Sequence, residues 1–383
     1  MAVALGLGAA ALAGWLYLIF ARGRFWLAAE RDEESLPEPR TWPAVAVVVP
    51  ARNEADVIVR ALLSLLGQDY PGAFRIFLVN DESADGTAAA ASALDDARVR
   101  IIAGSPRPTG WAGKPWAMRQ GVEAALAEPT EYILFTDADI AHAPDNLARL
   151  VRRAEIGRLV LTSVMVRLAN QSLVEKALIP AFVLFFSMVY PFAWANHPDR
   201  RTAAAAGGCM LVRRAALAEA GGIEAIAGEI IDDCALARRL KAIGPTWLGL
   251  TDRAWSLRPY GGVGEIAAMV SRSAYAQLRS SPWRLAATLA GLALLFVAPP
   301  ILTVFAWGAA RWLGAASWAA MAIAFQPMLR FYRRSPLWGA ALPLIGAAYA
   351  AFTLKSAFDA WRGRGGAWKG RLQAQAASRA SPS

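Results

Sequence analysis

Two aspartates one residue apart, Asp137 and Asp139, close an apolar run that reads YILFTDADI at 132–140. The run is rich in β-branched and aromatic residues and reads as a buried strand carrying both carboxylates to its C-terminal end. Alternation along an extended chain then points the two side chains the same way. Paired carboxylates suit a hard divalent cation, Mg2+ or Mn2+, that carries a phosphorylated substrate. A second acidic pair, Asp232-Asp233, precedes Leu236, Leu240 and Ile243, which share one helical face and place Asp233 in a first turn. The helix dipole favours an anion there. Such a carboxylate can take up a proton at neutral pH, or the pair can serve only as a helix cap.

The elements that must position these groups alternate. Val45 to Val49 is a buried strand that stops at Pro50, and Ala55 to Leu66 has helical spacing. Arg75 to Val79 is a strand ending in Asn80-Asp81-Glu82-Ser83. Thr87 to Leu94 is an Ala-rich helix, Val99 to Ile102 a short strand, and Pro115 to Leu126 a helix leading into the 132–136 strand. This order predicts an α/β domain with a largely parallel central sheet. Ligands of such sheets bind outside the carboxyl ends of the strands. The polar groups after Val49, Val79 and Phe135 all sit at such ends.

The chain has 383 residues, 56% of them hydrophobic, with the excess at the two ends. Ala2 to Phe20 carries no charge, and nineteen residues span roughly 28 Å, about a bilayer core. A cleaved signal peptide is the competing reading; it lacks a basic n-region and a small-x-small cleavage site before Arg22. A second apolar block runs from Leu285 to about Trp307, with shorter ones at 314–329 and 337–354. Four spans gather Arg22, Arg24, Arg279, Arg284, Arg330, Arg333 and Arg334 on one side but leave Arg362, Arg364, Lys369 and Arg371 on the other. Dropping 314–329 as a span exchanges the Arg330–Arg334 cluster for that tail. Both versions put 21–284 in the cytoplasm by the positive-inside tendency. The division expected is an anchor at 1–21, a connector at 22–43, a cytoplasmic catalytic domain at 44–284, transmembrane helices at 285–358 and a basic tail at 359–383.

The net charge is +10. The basic residues flank apolar spans, so anionic lipid headgroups, not nucleic acid, are the partner expected. Cys209 and Cys234 lack metal-ligand spacing and read as core residues. His142 and His197 are far apart and make no pair, so zinc chemistry is not indicated. Nothing in the sequence fixes an oligomeric state.

Six motifs in order, from about Pro43 to Arg284, resemble a family-2 glycosyltransferase of the GT-A fold. They are VVVPARNEADVI at 47–58, VNDESADGT at 79–87, GWAGKPWA at 110–117, TDAD at 136–139, GGCMLVRRAALAEAGG at 207–222 and EIIDDCALARRLKAIG at 229–244. The resemblance implies a nucleotide-sugar site. Pro50, Ala51, Arg52 and Glu54 would hold the base and ribose, Asp81 would contact the base, and Lys114 and Asp137 would lie at the diphosphate. Asp139, with Asp137, would hold the metal. Gly207 and Gly208 would lie on the acceptor side. Asp233 aligns with the family's catalytic base, with Asp232 the next candidate. A solvated loop lysine remains the alternative for Lys114; Arg238 and Arg239 read either as phosphate-binding residues or as a solvated basic helix face.

Processive members carry a QxxRW motif. Here Gln277-Leu278-Arg279 is followed by Ser-Ser-Pro, which argues for one sugar transferred per acceptor. PARNEADVI, NDESADGT, GWAGKPWA, IDDCALARRLK and SAYAQLRSSP together most resemble the bacterial hopene-associated glycosyltransferases, with ceramide glucosyltransferase more distant. The resemblance implies an inverting enzyme of the bacterial inner membrane that moves a sugar from a UDP-sugar to a hopanoid or related lipid. Other lipids, of ceramide, carotenoid or polyprenyl phosphate type, are alternatives. The apolar stretch 181–190, between two prolines, is too short to span a bilayer and reads as core or as an interfacial helix. Trp111 and Trp116 read as packing residues. A silent scaffold of the same fold would be expected to lose Asp137, Asp139 or Asp233. A nucleotidyltransferase would need a Gly-rich loop after the first strand.

Overall fold

The structure is a computed structural model that describes residues 1–368 and 371–372; of the basic tail, residues 369–370 and 373–383 lie outside the described residues. The strands of the main sheet are β1 (Val45–Ala51), β2 (Phe74–Asn80), β3 (Val99–Ala103), β4 (Tyr132–Thr136), β5 (Ile140–His142), β6 (Leu161–Arg167), β7 (Cys209–Arg213) and β8 (Thr246–Ser256). The first helices along the chain are α1 (Ala2–Ala21), α2 (Ile58–Leu66), α3 (Thr87–Ser92), α4 (Gly113–Ala125) and α5 (Asn146–Ile156). Then come α6 (Leu173–Val189), α7 (Phe192–Asn196), α8 (Arg214–Glu219), α9 (Asp232–Lys241) and α10 (Val263–Ser271). The last are α11 (Ala274–Gln277), α12 (Pro282–Leu292), α13 (Ala298–Phe305), α14 (Ala309–Phe331) and α15 (Leu342–Trp361).

The chain divides into two compact units. Glu30–Ala169 and Trp194–Arg258 form a sheet unit; Met1–Ala29, Asn170–Ala193 and Pro259–Gly366 form a helical unit. Segments 170–193 and 259–284, expected inside the catalytic domain, thus pack with the apolar helices.

In the sheet unit the strand order is β3-β2-β1-β4-β7-β6-β8-β5. The β1–β2, β1–β4, β2–β3 and β6–β8 pairs are parallel; β7 runs antiparallel to β4 and β6, and β5 to β8. The unbroken Val run of β1 follows from burial on both faces. Val45, Val47 and Val49 meet Ile58, Leu62 and Leu65 of α2 and Leu147, Leu150 and Val151 of α5. Ala46 and Val48 meet Met118 and Val122 of α4 and Leu236 and Leu240 of α9. Pro50 does not end β1 as expected. The β1–β4 pairing stops at Val48, so Pro50 pairs only with β2 and its missing N–H leaves no gap in the sheet.

In the helical unit α6 begins at a capping box. Ser172 accepts from the Glu175 N–H, and Glu175 accepts from the Ser172 N–H. Pro180, read from the sequence as a boundary, lies inside this helix. Among the described residues, three helical stretches are long and apolar enough to cross a membrane: Ala2–Phe20, Pro282–Phe305 and Pro336–Trp361. The 314–329 block is part of the 23-residue α14, which is not among them.

Candidate active site

The two loops after β1 and β2 are tied to each other by their own polar side chains. The Asn53 N–H donates to Ser83 Oγ (3.0 Å), the Ala84 N–H to Asn53 Oδ1 (2.9 Å), the Glu54 N–H to Thr87 Oγ1 (2.9 Å) and the Ala55 N–H to Asp85 Oδ2 (2.9 Å). Asn53 and Glu82 adopt left-handed backbone conformations (φ 51° and 49°). Such conformations cost energy outside glycine and persist where the surroundings enforce them. Much of the PARNEAD and NDESADGT motifs is therefore loop scaffold. Arg52 donates to the Asp81 and Glu82 carbonyls and lies 3.7 Å from the Asp81 carboxylate. Asp81 is 0% exposed. The base contact expected of it would need the Arg52 side chain to move aside.

Lys114 joins three segments that the sequence keeps apart. It stands in the first turn of α4, where the helix dipole opposes a cation, so acidic partners must hold it. Its Nζ is 2.6 Å from Asp137 Oδ1 and 3.8 Å from Asp232 Oδ2, with the lysine side chain 15% exposed. Burial alone would push Lys114 down; Asp137, then Asp232 and Asp233, override it and hold the ammonium above the usual lysine range. Gly207 completes the junction, because a Cβ there would sit 3.2 Å from both Asp233 Oδ2 and Lys114 Nζ.

Asp233 lies in the first turn of α9, where Ile231 is the N-cap residue and no side chain caps the helix. Its Oδ1 accepts from the Cys234 N–H (2.7 Å) and its Oδ2 from the Gly207 N–H (2.9 Å). Burial, then the neighbouring Asp232, pushes its carboxyl up to about 6, against the pull of Lys114 and the two N–H donors. Asp233 thus spans from α9 to the turn before β7. Arg238 and Arg239 are exposed on the same helix.

The expectation that Asp137 and Asp139 alternate on one extended strand fails. β4 ends at Thr136, and the Ile140 N–H returns to the Asp137 carbonyl (3.1 Å), closing a turn. Asp137 therefore meets Lys114, while Asp139 Oδ2 lies 4.0 Å from Nε of Arg258, just past the end of β8. Arg258 also pairs with Glu54 and Asp56, the latter at 3.2 Å. No sequence motif singles out Arg258, and it lies some two hundred residues from Glu54. Among the described residues no three His, Cys, Asp or Glu side chains converge as a metal cage. Asp137 and Asp139, both partly exposed, fit a cation shared with a substrate diphosphate, the usual way Mg2+ is held by one or two carboxylates.

Behind the site runs a buried polar chain that sequence reasoning set aside with His142. The Gly208 carbonyl can only accept, so the Thr136 hydroxyl donates to it (2.9 Å). Thr136 Oγ1 must then accept from His142 Nε2–H (2.9 Å), which leaves His142 Nδ1 to accept from Asn146 Nδ2 (2.9 Å). Burial holds His142 down at about 4, so the ring is neutral. Ser163 holds the same turn from β6, its Oγ accepting from the Ala206 N–H (2.9 Å). Trp111 and Trp116 pack edge to face at 5.1 Å, and Trp116 donates to the Ser105 carbonyl. Both cysteines are buried.

Residues 46–221 match the family described as Glycosyl transferase family 2. The succinoglycan biosynthesis protein ExoO of Rhizobium meliloti (strain 1021) is 40% identical over 113 residues, 30% of each chain. An N-acetylglucosaminyltransferase of Rhizobium leguminosarum bv. viciae is 31% identical over 115 residues, 29% of this chain and 25% of its own. The chain thus spans 25–30% of the length of these two curated relatives. Among solved structures, the mannosyltransferase PcManGT from Pyrobaculum calidifontis, in complex with GDP-Man and Mn2+, superposes with a TM-score of 0.53 at 21% identity. That likeness covers 94% of this chain and 99% of the other. The fold is GT-A-like.

Proposed function

We propose that the protein is a membrane-bound inverting glycosyltransferase that moves one sugar from a nucleotide-sugar, of UDP-sugar type, to a lipid acceptor of hopanoid or related kind. One observation carries the reading: Lys114 sits 2.6 Å from Asp137 and 3.8 Å from Asp232, beside an Asp233 carboxyl raised to about 6. A cation and a proton acceptor are thereby held a few ångströms apart at the carboxyl ends of a mostly parallel sheet. Inverting transfer needs both.

In the reaction the acceptor hydroxyl attacks the anomeric carbon, and its proton passes to Asp233. The bond between that carbon and the diphosphate oxygen breaks, and the nucleoside diphosphate leaves with the electron pair. Lys114 balances the negative charge growing on that oxygen. Asp139, with Asp137, would hold Mg2+ or Mn2+, which would supply further charge neutralisation at the leaving diphosphate. Arg52 and Glu54, with Pro50 and Ala51 behind them, border the nucleotide end. Gly207 and Gly208 border the acceptor side, where any larger side chain would press on Asp233 or Val166.

Three helical stretches able to cross a bilayer support a membrane location and a lipid acceptor. The basic flanks support an inner-membrane protein with its sheet unit in the cytoplasm. The similarity to a succinoglycan biosynthesis protein favours a second reading, a saccharide acceptor. Both readings are tested by incubating membranes that contain the protein with a panel of nucleotide-sugars and with lipid and oligosaccharide acceptors. Mass spectrometry then reads the products. A lipid gaining one hexose-sized increment is the expected outcome. No sugar transferred from any donor sinks the proposal, and transfer to oligosaccharide alone replaces the acceptor.

A further inference from the structure

The arginines flanking the apolar segments do not fit a simple count of crossings. Arg22 and Arg24 follow α1, Arg279 and Arg284 lie at the start of α12, Arg330, Arg333 and Arg334 at the end of α14, and Arg362 and Arg364 after α15. If Ala2–Phe20, Pro282–Phe305 and Pro336–Trp361 each cross and α14 does not, the α14 cluster falls opposite the rest. If α14 crosses as well, Arg362 and Arg364 do. The positive-inside tendency disfavours both.

Contacts within the helical unit set the level of each segment. The Trp15 indole donates to the Leu295 carbonyl (2.8 Å), so the middle of the α12–α13 stretch lies beside the second half of α1. Only Ala306, Trp307 and Gly308 separate α13 from α14, and α14 turns back along α13. A Cβ on Gly314 would meet Leu302 Cβ and the Pro299 carbonyl at 2.8 Å each. The 23 residues of α14 rise about 34 Å. They carry Arg330 back to the level of Pro282, next to Phe25–Leu27 at the end of α1.

The following segment then climbs beside α14 in the opposite direction. Gln326 Nε2 donates to the Pro336 carbonyl (3.2 Å), Gly339 lies against Ala322, and Trp318 Nε1 donates to the Ala340 carbonyl (3.0 Å). From Leu342, α15 descends along α12. Gly346 lies against Phe296, Ala357 clusters with Leu285 and Tyr275, and Trp361 Nε1 donates to the Tyr275 hydroxyl (3.3 Å). The spacing from Gly346 to Ala357 equals that from Leu285 to Phe296, as antiparallel neighbours require. Leu342 is thus level with about residue 300, beside the middle of α1.

We propose that Pro336–Trp361 does not cross the bilayer but enters and leaves it on one side. It turns near Leu342, and all nine arginines then face the anionic headgroups of the cytoplasmic leaflet. The crossings are α1, α12–α13 and α14. By length and apolarity Pro336–Trp361 ranks above α14 as a span, but a re-entrant hairpin meets the same criteria, and α14 is packed against α1 and α13 and so needs a less apolar surface. The hydrogen bonds separate the two. Backbone that leaves the α-helix at membrane depth must find partners inside the protein. The 3-10 segment Pro336–Ala341 receives donors from Gln326 and Trp318, and a Cβ on Gly339 would lie 2.5 Å from Gln326 Nε2. The polar Gln326 in an otherwise apolar stretch of α14 has its reason here. None of this depends on the catalytic reading.

Single cysteines test it, since both native cysteines are buried. Arg24→Cys, Trp307→Cys, Ser335→Cys and Arg364→Cys are labelled with a membrane-impermeant maleimide in sealed spheroplasts and in inverted vesicles. The expected result is reaction at 24, 335 and 364 only in inverted vesicles, and at 307 only in spheroplasts. Labelling of 364 together with 307 means that Pro336–Trp361 crosses and overturns the proposal; labelling of 335 with 307 overturns it through α14. An unsubstituted chain carrying a C-terminal fluorescent protein gives an independent reading: fluorescence is expected, and an active alkaline phosphatase in its place overturns it. Nanodiscs containing phosphatidylglycerol should raise the melting temperature over phosphatidylcholine alone in a salt-sensitive way. Equal melting refutes the headgroup contact.

Discussion

Replacing Asp233 with Asn separates a proton acceptor from a structural carboxylate, and the structure sets the size of each effect. The sequence suggests that the isostere keeps its one capping bond. The carboxylate in fact accepts two, from Cys234 and Gly207. Asn presents one oxygen and one NH2 group, so one of those N–H groups loses its acceptor, at about 1–3 kcal/mol. Against this, a carboxyl raised from 3.8 to about 6 in the folded protein makes ionised Asp233 destabilising by up to about 3 kcal/mol above that pH. A folded-state pKa above the unfolded one contributes stability at low pH and loses it as pH rises through about 6. The melting temperature of Asp233→Asn relative to wild type should therefore rise between about pH 4 and pH 6 and level off above. At neutral pH the two effects nearly cancel and the variant stays folded. Turnover should still fall by about 10²–10⁴, the usual worth of a general base. In the wild type, kcat/KM should rise with pH through an acid limb near 6. The assay is initial-rate release of nucleoside diphosphate with the donor and acceptor that the product panel returns. Turnover within a few-fold of wild type in folded Asp233→Asn refutes the reasoning and moves attention to Asp232.

Further outcomes follow from the same geometry. Lys114→Met should cut turnover by about 10²–10³. It should also move the acid limb to higher pH, because Lys114 holds Asp233 down; an unmoved limb argues against their coupling. Asp139→Ala should abolish Mn2+ binding in the presence of UDP, read by electron paramagnetic resonance, and chelator should reversibly stop wild-type turnover. Full activity in chelator rejects the metal. Thr136→Val removes the only hydroxyl between His142 and Gly208, so turnover should fall with the acid limb displaced upward, while Thr136→Ser restores both. Equal kinetics for Val and Ser show that the chain does not hold the Gly207 turn.

The sheet was legible because β1, β2 and β4 are buried on both faces and so read as unbroken apolar runs. The position of Asp233 in the first turn of a helix was legible because that helix is amphipathic. What escaped was set by tertiary packing. Strand alternation could not foresee that β4 stops at Thr136, since a turn there costs nothing visible in Asp-Ala-Asp. Lys114 and Arg258 meet carboxylates brought in from distant loops and from the start of α9, and no local pattern records such partners. His142 sits in a short strand whose partner, β8, lies more than a hundred residues on. At the C-terminus, composition could count apolar stretches but not tell a hairpin from a crossing.

The most direct test of the account uses membranes containing the protein, a uniformly 13C-labelled nucleotide-sugar and a lipid extract. The account expects one labelled hexose per lipid, inverted relative to the donor at the anomeric carbon, formed by wild type and lost in Asp233→Asn and Lys114→Met. A product of retained anomeric configuration, or undiminished labelling in those variants, contradicts it.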